Sequence, residues 1–202
     1  MPVLCKMLSG CETVLDPFAG TGKIHDLPYK TTGVEIEPEW AMLHKNTEIG
    51  DATCLRFDNE SFDAVCTSPT YGNRMADSHE AKDGSKRNTY THTLGRKLSD
   101  NNSGKMQWGD EYKALHTKAW GECFRVLKNG GVFILNIKNH IRKGREVDVY
   151  GWHKSELERI GFVFVCVEEV ECAGNRFGDN SQLRTGIEYV AKFIKLPKKL
   201  DK

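Results

Sequence analysis

Short apolar runs alternate with helix-like stretches along the chain. The runs are strand-sized, and several are rich in β-branched residues; they lie at Thr13–Asp16, Thr32–Ile36, Glu48–Ala52, Phe62–Thr67, Gly131–Ile137, Phe162–Glu171 and Ile187–Ile194. Helix signals predict helices over Pro38–Asn46, Glu111–Leu127 and Trp152–Ile160. Strands that alternate with helices predict an α/β fold, in which a mostly parallel sheet has helices on both faces.

One long segment interrupts this pattern. From Ser68 to about Gly109 the chain is polar, contains several glycines and shows no clear periodicity. It is roughly three times as long as an ordinary connection in a compact domain, and loops of that length are usually functional or disordered. It begins where a predicted strand ends, which is where open α/β sheets bind ligands. We therefore interpret residues 72–109 as an inserted loop within a single domain that spans residues 1–202.

Composition narrows the class of protein. A chain of 202 residues suits one domain with a substantial core. The net charge of +1 means that any nucleic-acid surface must come from an uneven distribution of charge. The seven cysteines include no C-x-x-C pair, so neither a disulfide framework nor a metal site is expected. No membrane span or secretory signal is recognisable, which predicts a cytoplasmic protein.

A glycine-rich turn follows the first predicted strand. Residues 16–22 read D-P-F-A-G-T-G, and a strand that runs into such a turn lets backbone N–H groups approach a ligand closely. Asp16 carries the charge that suits the ammonium group of an amino-acid-like ligand. The Lys-Ser or Lys-Thr pair of phosphate-binding loops is absent, because Lys23 is followed by Ile24. The third glycine of a dinucleotide-binding loop is also absent, since His25 stands in its place.

A second motif closes the fourth predicted strand. Residues 68–71 read S-P-T-Y. The Ser68 hydroxyl and the Pro69 carbonyl are suited to accept both N–H bonds of an exocyclic amine, which turns its lone pair towards a methyl donor. Pro69 fixes its own φ and so holds its carbonyl rigidly. Tyr71 is suited to stack on a base taken out of a helix.

Together these motifs resemble those of class I S-adenosylmethionine-dependent DNA amino methyltransferases of the N4-cytosine/N6-adenine group, especially small bacterial or phage versions. The usual forms in that family are D-P-F-x-G-x-G and [D/N/S]-P-P-[Y/F]. The resemblance spans Thr13 to about Phe193. It implies a Rossmann-like, seven-stranded sheet with an antiparallel last strand, and S-adenosyl-L-methionine as cofactor. Serine at position 68 is commoner in the N4-cytosine group, so N4 of cytosine is preferred over N6 of adenine as the acceptor.

The sequence departs from this family at two places. Thr70 stands where a second proline is usual, so the turn loses one rigid residue. Only about a dozen residues precede the glycine turn, where family members often carry a helix that covers the methionine end of the cofactor.

The resemblance also implies roles for individual residues. The expected catalytic residues are Ser68, Pro69 and Tyr71. Glu35 is expected to bind the ribose hydroxyls, with Glu37 as the alternative, and Asp51 the adenine amino group. The full expected cofactor set is Asp16, Phe18, Ala19, Gly20, Thr21, Gly22, Glu35 and Asp51.

The proposed nucleic-acid surface combines two basic segments. The loop at 72–109 holds seven basic residues against four acidic ones, and a second basic cluster follows the fifth predicted strand. The residues expected to contact nucleic acid are Asn73, Arg74, Lys86, Arg87, Arg96, Arg142 and Lys143. The expected partner is DNA, and RNA is the alternative. The protein is expected to act as a monomer or homodimer in a bacterial cell or phage-infected host. The existence of a restriction partner is left open.

Two other functions fit the same motifs. An RNA guanine-N2 methyltransferase uses a similar motif pair, although it usually carries asparagine at the position of Ser68. A catalytically weak phage protein that binds cofactor or nucleic acid is favoured by Thr70 and by the short N-terminal segment. Carbon-5 cytosine methylation is set aside, because the sequence has no Pro-Cys pair.

Overall fold

The computed structural model describes residues 2–73, 89–172, 183 and 186–197 of the chain. The strands in this part of the chain are β1 (Thr13–Asp16), β2 (Lys30–Glu35), β3 (Thr47–Ile49), β4 (Phe62–Thr67), β5 (Leu127–Ile137), β6 (His140–Arg142), β7 (Arg145–Val147), β8 (Phe162–Glu171) and β9 (Ile187–Lys195). The α-helices are α1 (Pro2–Met7), α2 (Pro38–Ala41), α3 (Tyr90–Leu94), α4 (Asp110–Val126) and α5 (Val149–Ile160). Two short 3-10 helices cover Lys23–Asp26 and Ser103–Lys105.

Seven of the described strands form one sheet in the order β3-β2-β1-β4-β5-β9-β8. The first five strands in this order run parallel to one another. Strand β9 is inserted between β5 and β8 and runs antiparallel to both. This is the Rossmann-like methyltransferase sheet, so the predicted fold class and the predicted antiparallel last strand are confirmed. The remaining pair, β6 and β7, forms a separate hairpin directly after β5.

Two apolar clusters cover the two faces of the sheet. On one face, α4 and α5 bury a large core around Trp120, Phe133 and Leu157. On the other face, α1 and the 3-10 helix at Lys23–Asp26 contribute Met7 and Ile24 to a smaller cluster. The short N-terminal helix thus packs against the sheet face, where Tyr29 Oη donates a hydrogen bond to the carbonyl oxygen of Cys5 at 3.2 Å.

Two predicted elements differ most from the observed ones, by four or five residues at one end. The helix predicted over Pro38–Asn46 ends at Ala41, because the Gly33 N–H already donates to the Asn46 carbonyl at 2.9 Å and β3 starts one residue later. The fifth strand starts at Leu127, four residues before the predicted strand. The segment Lys128–Gly131 lies within β5, where it interrupts the regular pairing of β4 with β5. It does not form a separate turn between helix α4 and the strand.

Candidate active site

The carboxyl ends of β1, β2 and β4 meet at one cleft. Its walls include six of the residues that the sequence predicts for cofactor binding or catalysis: Phe18, Gly20, Glu35, Asp51, Ser68 and Pro69. In parallel α/β sheets this edge is the usual ligand site. The structure therefore brings the glycine turn and the S-P-T-Y motif together in one place.

Glu35 connects the end of β2 to the glycine turn. One of its carboxylate oxygens accepts from the Gly20 N–H at 2.8 Å, and the other accepts from the Glu37 N–H at 2.9 Å. Burial raises the pKa of Glu35 above its usual value. The backbone of Ile36 also donates to this carboxylate, and a carboxylate has about four acceptor sites, so the side chain can still receive a ligand hydroxyl.

Asp16 lies at the end of β1, directly before Pro17 and Phe18 in the cleft wall. Its side chain is buried, and one carboxylate oxygen accepts from the Phe18 N–H at 3.0 Å and from Thr67 Oγ1 at 2.7 Å. Burial raises the pKa of Asp16 to about 6, although these two hydrogen bonds act in the opposite direction. A buried carboxylate of this kind is suited to a cationic ligand group.

The other residues of the glycine turn shape the backbone. Ala19 is buried, and its N–H donates to the Val34 carbonyl at 3.0 Å, which fixes the turn against β2. Gly22 has φ +81°, and a Cβ there would lie 3.1 Å from the His25 and His44 side chains. Thr21 is exposed at the tip of the turn.

Asp51 lies just beyond β3 and faces the cleft. One carboxylate oxygen accepts from the Thr53 N–H and hydroxyl, both at 2.8 Å, and the other accepts from Asn101 Nδ2 at 2.7 Å. Burial acts to raise the pKa of Asp51, but these hydrogen bonds outweigh it and hold the pKa below its usual value. Asp51 thus stays charged.

Residues 96–105, here called the strap, were not recognised in the sequence as part of the cofactor side of the cleft. Three strap residues, Asn101, Asn102 and Ser103, line the cleft. The strap is held by Glu37, which is 0% exposed and accepts from Ser99 N at 2.8 Å and Asn102 Nδ2 at 2.7 Å. Glu37 therefore anchors the strap, which leaves Glu35 as the acid that lines the cleft.

The residues predicted to contact nucleic acid differ in their surroundings. Arg96 forms ion pairs with Glu37 and Glu39 and so belongs to the strap anchor. Arg142 donates to the Trp108 carbonyl at 2.9 Å and to Gln107 Oε1 at 2.7 Å, which ties the β6–β7 hairpin to the end of the long loop.

The remaining residues of that set are either exposed or outside the described residues. Lys143 is exposed at the tip of the hairpin, and Asn73 is exposed and pairs with Gln107 in an isolated bridge. The predicted contacts Arg74, Lys86 and Arg87 lie outside the described residues. The role of residues 72–109 in target recognition stays a prediction.

The S-P-T-Y motif occupies the end of β4. Ser68 is exposed, with its Oγ 3.4 Å from Tyr71 Oη, while Pro69 is buried. Burial raises the pKa of Tyr71 to about 12, so its phenol is neutral near pH 7. A neutral tyrosine beside an exposed serine hydroxyl is suited to contact a planar, uncharged group.

No protein-family model matches the sequence, and no curated protein matches it either. Solved structures do match the fold. A SAM-dependent methyltransferase from Methanosarcina mazei is 14% identical, with a TM-score of 0.60 over 98% of this chain and 99% of the other. A TehB-like SAM-dependent methyltransferase from Corynebacterium glutamicum is 15% identical, with a TM-score of 0.53 over 96% and 85%.

A third structure of this fold contains ligands. The 1,6-didemethyltoxoflavin-N1-methyltransferase from Burkholderia thailandensis, with bound 1,6-didemethyltoxoflavin and S-adenosylhomocysteine, is 14% identical. Its TM-score is 0.56, over 97% of this chain and 76% of the other. At such low identity these likenesses show the shared fold.

The described part of the chain shows neither a metal site nor a membrane-spanning helix. No group of three His, Cys, Asp or Glu side chains there is placed to hold a metal ion. None of the helices in the same part of the chain has the length and apolar character needed to cross a membrane.

Proposed function

We propose that the protein transfers a methyl group from S-adenosyl-L-methionine to an exocyclic amino group of a base in DNA, with N4 of cytosine preferred over N6 of adenine. One observation carries this proposal: the acidic glycine turn and the S-P-T-Y motif open into the same cleft. The acidic glycine turn is suited to bind a nucleoside that carries an amino-acid group. The S-P-T-Y motif lies beside it, where the methyl acceptor would have to enter.

The acidic side chains of the cleft fit this cofactor. Asp16 is a buried carboxylate suited to an ammonium group, and Glu35 offers free acceptor sites to ribose hydroxyls. Asp51 is charged and is suited to accept from the adenine amino group. A phosphate-bearing ligand fits this set poorly, because three carboxylates would repel it.

When bound, the cofactor supplies an electrophilic methyl group on its sulfonium sulfur. Ser68 Oγ and the Pro69 carbonyl accept the two N–H bonds of the target amine and orient its lone pair towards that methyl. On transfer, the target nitrogen would gain the methyl group and lose one proton, which Ser68 would pass along its hydrogen bond to bulk water, since its hydroxyl is exposed. Tyr71 stays neutral and stacks on the base.

DNA would lie over the same edge of the sheet. Lys143 at the hairpin tip and Asn73 are exposed and available to it, and Arg74, Lys86 and Arg87 of the long loop are the further proposed contacts. Arg96 and Arg142 act through the elements that they hold in place. In this proposal the hairpin and the long loop contact phosphates, and the loop reads the bases.

A second candidate is an N-methyltransferase of a small heterocycle. It is favoured by the shared fold with the Burkholderia enzyme, which is named for a reaction at a ring nitrogen of such a compound. The exposed basic residues of the hairpin favour nucleic acid instead, because a small neutral heterocycle carries no negative charge for them to bind.

The test is transfer of labelled methyl from S-adenosylmethionine to mixed-sequence DNA and, separately, to RNA, followed by nucleoside mass spectrometry. N4-methylcytosine or N6-methyladenine in DNA is the expected result. Label in RNA alone would replace the proposal with the guanine-N2 reaction. A protein that binds the cofactor in calorimetry and labels neither polymer would be a small-molecule enzyme or a non-catalytic binder.

A further inference from the structure

Thr70 is held from two directions. Its Oγ1 donates a hydrogen bond to Ser103 Oγ at 2.7 Å, and its carbonyl oxygen accepts from Tyr112 Oη at 2.7 Å. Thr70 lies between Pro69 and Tyr71, so these two bonds constrain the backbone on which the proposed amine acceptors sit. Ser103 belongs to the strap, and Tyr112 belongs to the first turn of α4.

The Tyr112 anchor is a directed chain of hydrogen bonds in the core. The indole N–H of Trp120 can only donate, and it donates a hydrogen bond to His153 Nδ1 at 3.0 Å. Burial lowers the pKa of His153 well below its usual value, so the ring is neutral and carries its proton on Nε2. That nitrogen lies 2.9 Å from Tyr112 Oη, which leaves the phenol proton for the Thr70 carbonyl. Trp120, His153 and Tyr112 are all 0% exposed, so this anchor is rigid.

The Ser103 anchor belongs to an element that contacts the cofactor side of the cleft. Ser103 is 5% exposed, and its neighbours Asn101 and Asn102 donate to Asp51 and Glu37, both at 2.7 Å. The strap therefore extends from the proposed adenine-binding carboxylate to Thr70. A single hydroxyl–hydroxyl bond joins it to the S-P-T-Y turn.

We propose that Thr70 is a positioning residue: it fixes the Pro69 carbonyl through Tyr112 and Ser103, and it couples the geometry of the methyl-acceptor turn to the strap over the cofactor cleft. This inference rests on the proposed function. A proline at this position would stiffen the turn whatever the state of the cleft. The threonine hydroxyl adds to the Tyr112 anchor a second restraint that depends on Ser103, so a ligand that further stabilises the strap also stabilises the turn.

The first test compares four variants in single-turnover methyl transfer to mixed-sequence DNA. Thr70→Val keeps the shape and loses the hydroxyl, and Ser103→Ala removes its partner. Each is expected to lower the transfer rate by about tenfold, the effect of one lost hydrogen bond that orients a reacting group, with KM for DNA within about twofold. Thr70→Ser keeps the hydroxyl and should transfer methyl within about twofold of the parent rate. The double variant T70V/S103A should be no slower than either single one.

Three outcomes of this test would overturn the inference. They are a Thr70→Val rate equal to the parent rate, a Thr70→Ser loss as large as the Thr70→Val loss, and additive losses in the double variant. Melting temperatures of all four variants separate a loss of folded protein from a loss of geometry.

The second test needs no methyl acceptor. Hydrogen exchange is followed with and without S-adenosylhomocysteine in peptides that cover residues 66–73 and 96–108. In the parent protein the ligand should slow exchange in both peptides, and in Thr70→Val it should slow exchange in the strap peptide alone. Equal protection of both peptides in Thr70→Val would contradict the coupling.

The two tests distinguish this inference from the proposed function. The expected exchange pattern without any methyl transfer would support the coupling and reject the proposed reaction. Methyl transfer with an unaltered Thr70→Val variant would do the reverse. An absence of ligand protection in the parent protein would reject the coupling, while methyl transfer to DNA alone decides the proposed function.

Discussion

At the scale of single residues, Asp16 carries an electrostatic cost that a ligand would offset. The folded-state pKa of about 6 lies above the usual value of an aspartate, because the side chain is buried. A carboxyl group with a raised folded-state pKa destabilises the fold when it is charged. That destabilisation is absent below about pH 4, grows as the pH rises, and is complete above about pH 6.

Asp16→Asn should therefore stabilise the free protein while it abolishes cofactor binding. The asparagine Oδ1 can still accept from Phe18 and Thr67, so both native hydrogen bonds survive. We expect the free energy of unfolding in urea to rise by about 1–3 kcal/mol at pH 8 and to be nearly unchanged at pH 4. Calorimetry should show no binding of S-adenosylmethionine.

The exposed residue Asp58 offers a matched control for this substitution. Asp58→Asn should alter neither stability nor cofactor binding. An Asp16→Asn protein that keeps its cofactor affinity would show that the ammonium group binds elsewhere.

The proposed role of Ser68 is confined to the reaction. Ser68 is exposed, and its hydroxyl has one weak contact at 3.4 Å with Tyr71, so its removal should leave the fold intact. Ser68→Ala should lower the rate of methyl transfer by at least about tenfold, with cofactor affinity within about twofold. Ser155→Ala, on an exposed turn of α5, is the control. An unchanged transfer rate would remove Ser68 from the mechanism.

At the scale of elements, the strap is the part of the predicted irregular loop that forms a wall of the cleft. Arg96 pairs with Glu37, which is fully buried, and with Glu39. Arg96→Ala would leave Glu37 with fewer hydrogen bonds and a buried charge, which loosens the strap. We expect the dissociation constant for S-adenosylmethionine to rise by about five- to tenfold.

The same substitution separates two roles of Arg96. If Arg96 contacted DNA phosphates instead, Arg96→Ala would flatten the salt dependence of DNA binding by about one counterion and leave cofactor affinity unchanged. Calorimetry with the cofactor and a salt titration of DNA binding measure the two effects. Lys97→Ala, at the exposed neighbouring position, controls for loss of local positive charge.

The strands were the most predictable elements, since their signal is local. The observed bounds of Thr13–Asp16, Phe62–Thr67 and Phe162–Glu171 equal the predicted ones, because each apolar run is limited by polar or turn-forming residues. The strap was not predictable in this way. Its anchors join Arg96 and Asn102 to a glutamate about sixty residues earlier, and such long-range polar bonds leave no periodicity in the sequence.

The site shows the same division between local and long-range information. Glu35 and Glu37 are two residues apart, and the sequence alone left the choice between them open. The structure distinguishes them by their partners, which are Gly20 of the glycine turn for Glu35 and the strap for Glu37. The contribution of Thr70 was equally hidden, because its partners Ser103 and Tyr112 are more than thirty residues away.

At the scale of the whole molecule, the net charge is only +1, so the distribution of charge over the surface would decide where the proposed DNA partner binds. The β6–β7 hairpin projects from the carboxyl end of β5 with Lys143 at its tip, and Arg142 fastens it to the base of the long loop. The amino ends of the parallel strands form the opposite edge of the sheet. Lys30 is exposed there, at the start of β2.

Lys143→Ala should weaken DNA binding through phosphate contacts alone. The slope of log affinity against log salt should fall in magnitude by about 1, to a similar extent for every DNA sequence. Fluorescence anisotropy with mixed-sequence duplexes between about 50 and 200 mM salt, in the presence of S-adenosylhomocysteine, measures this slope. Lys30→Ala removes the same charge from the opposite edge and should leave the slope unchanged. Equal effects of the two substitutions would mean that DNA is attracted by the overall charge of the protein rather than by the hairpin beside the cleft.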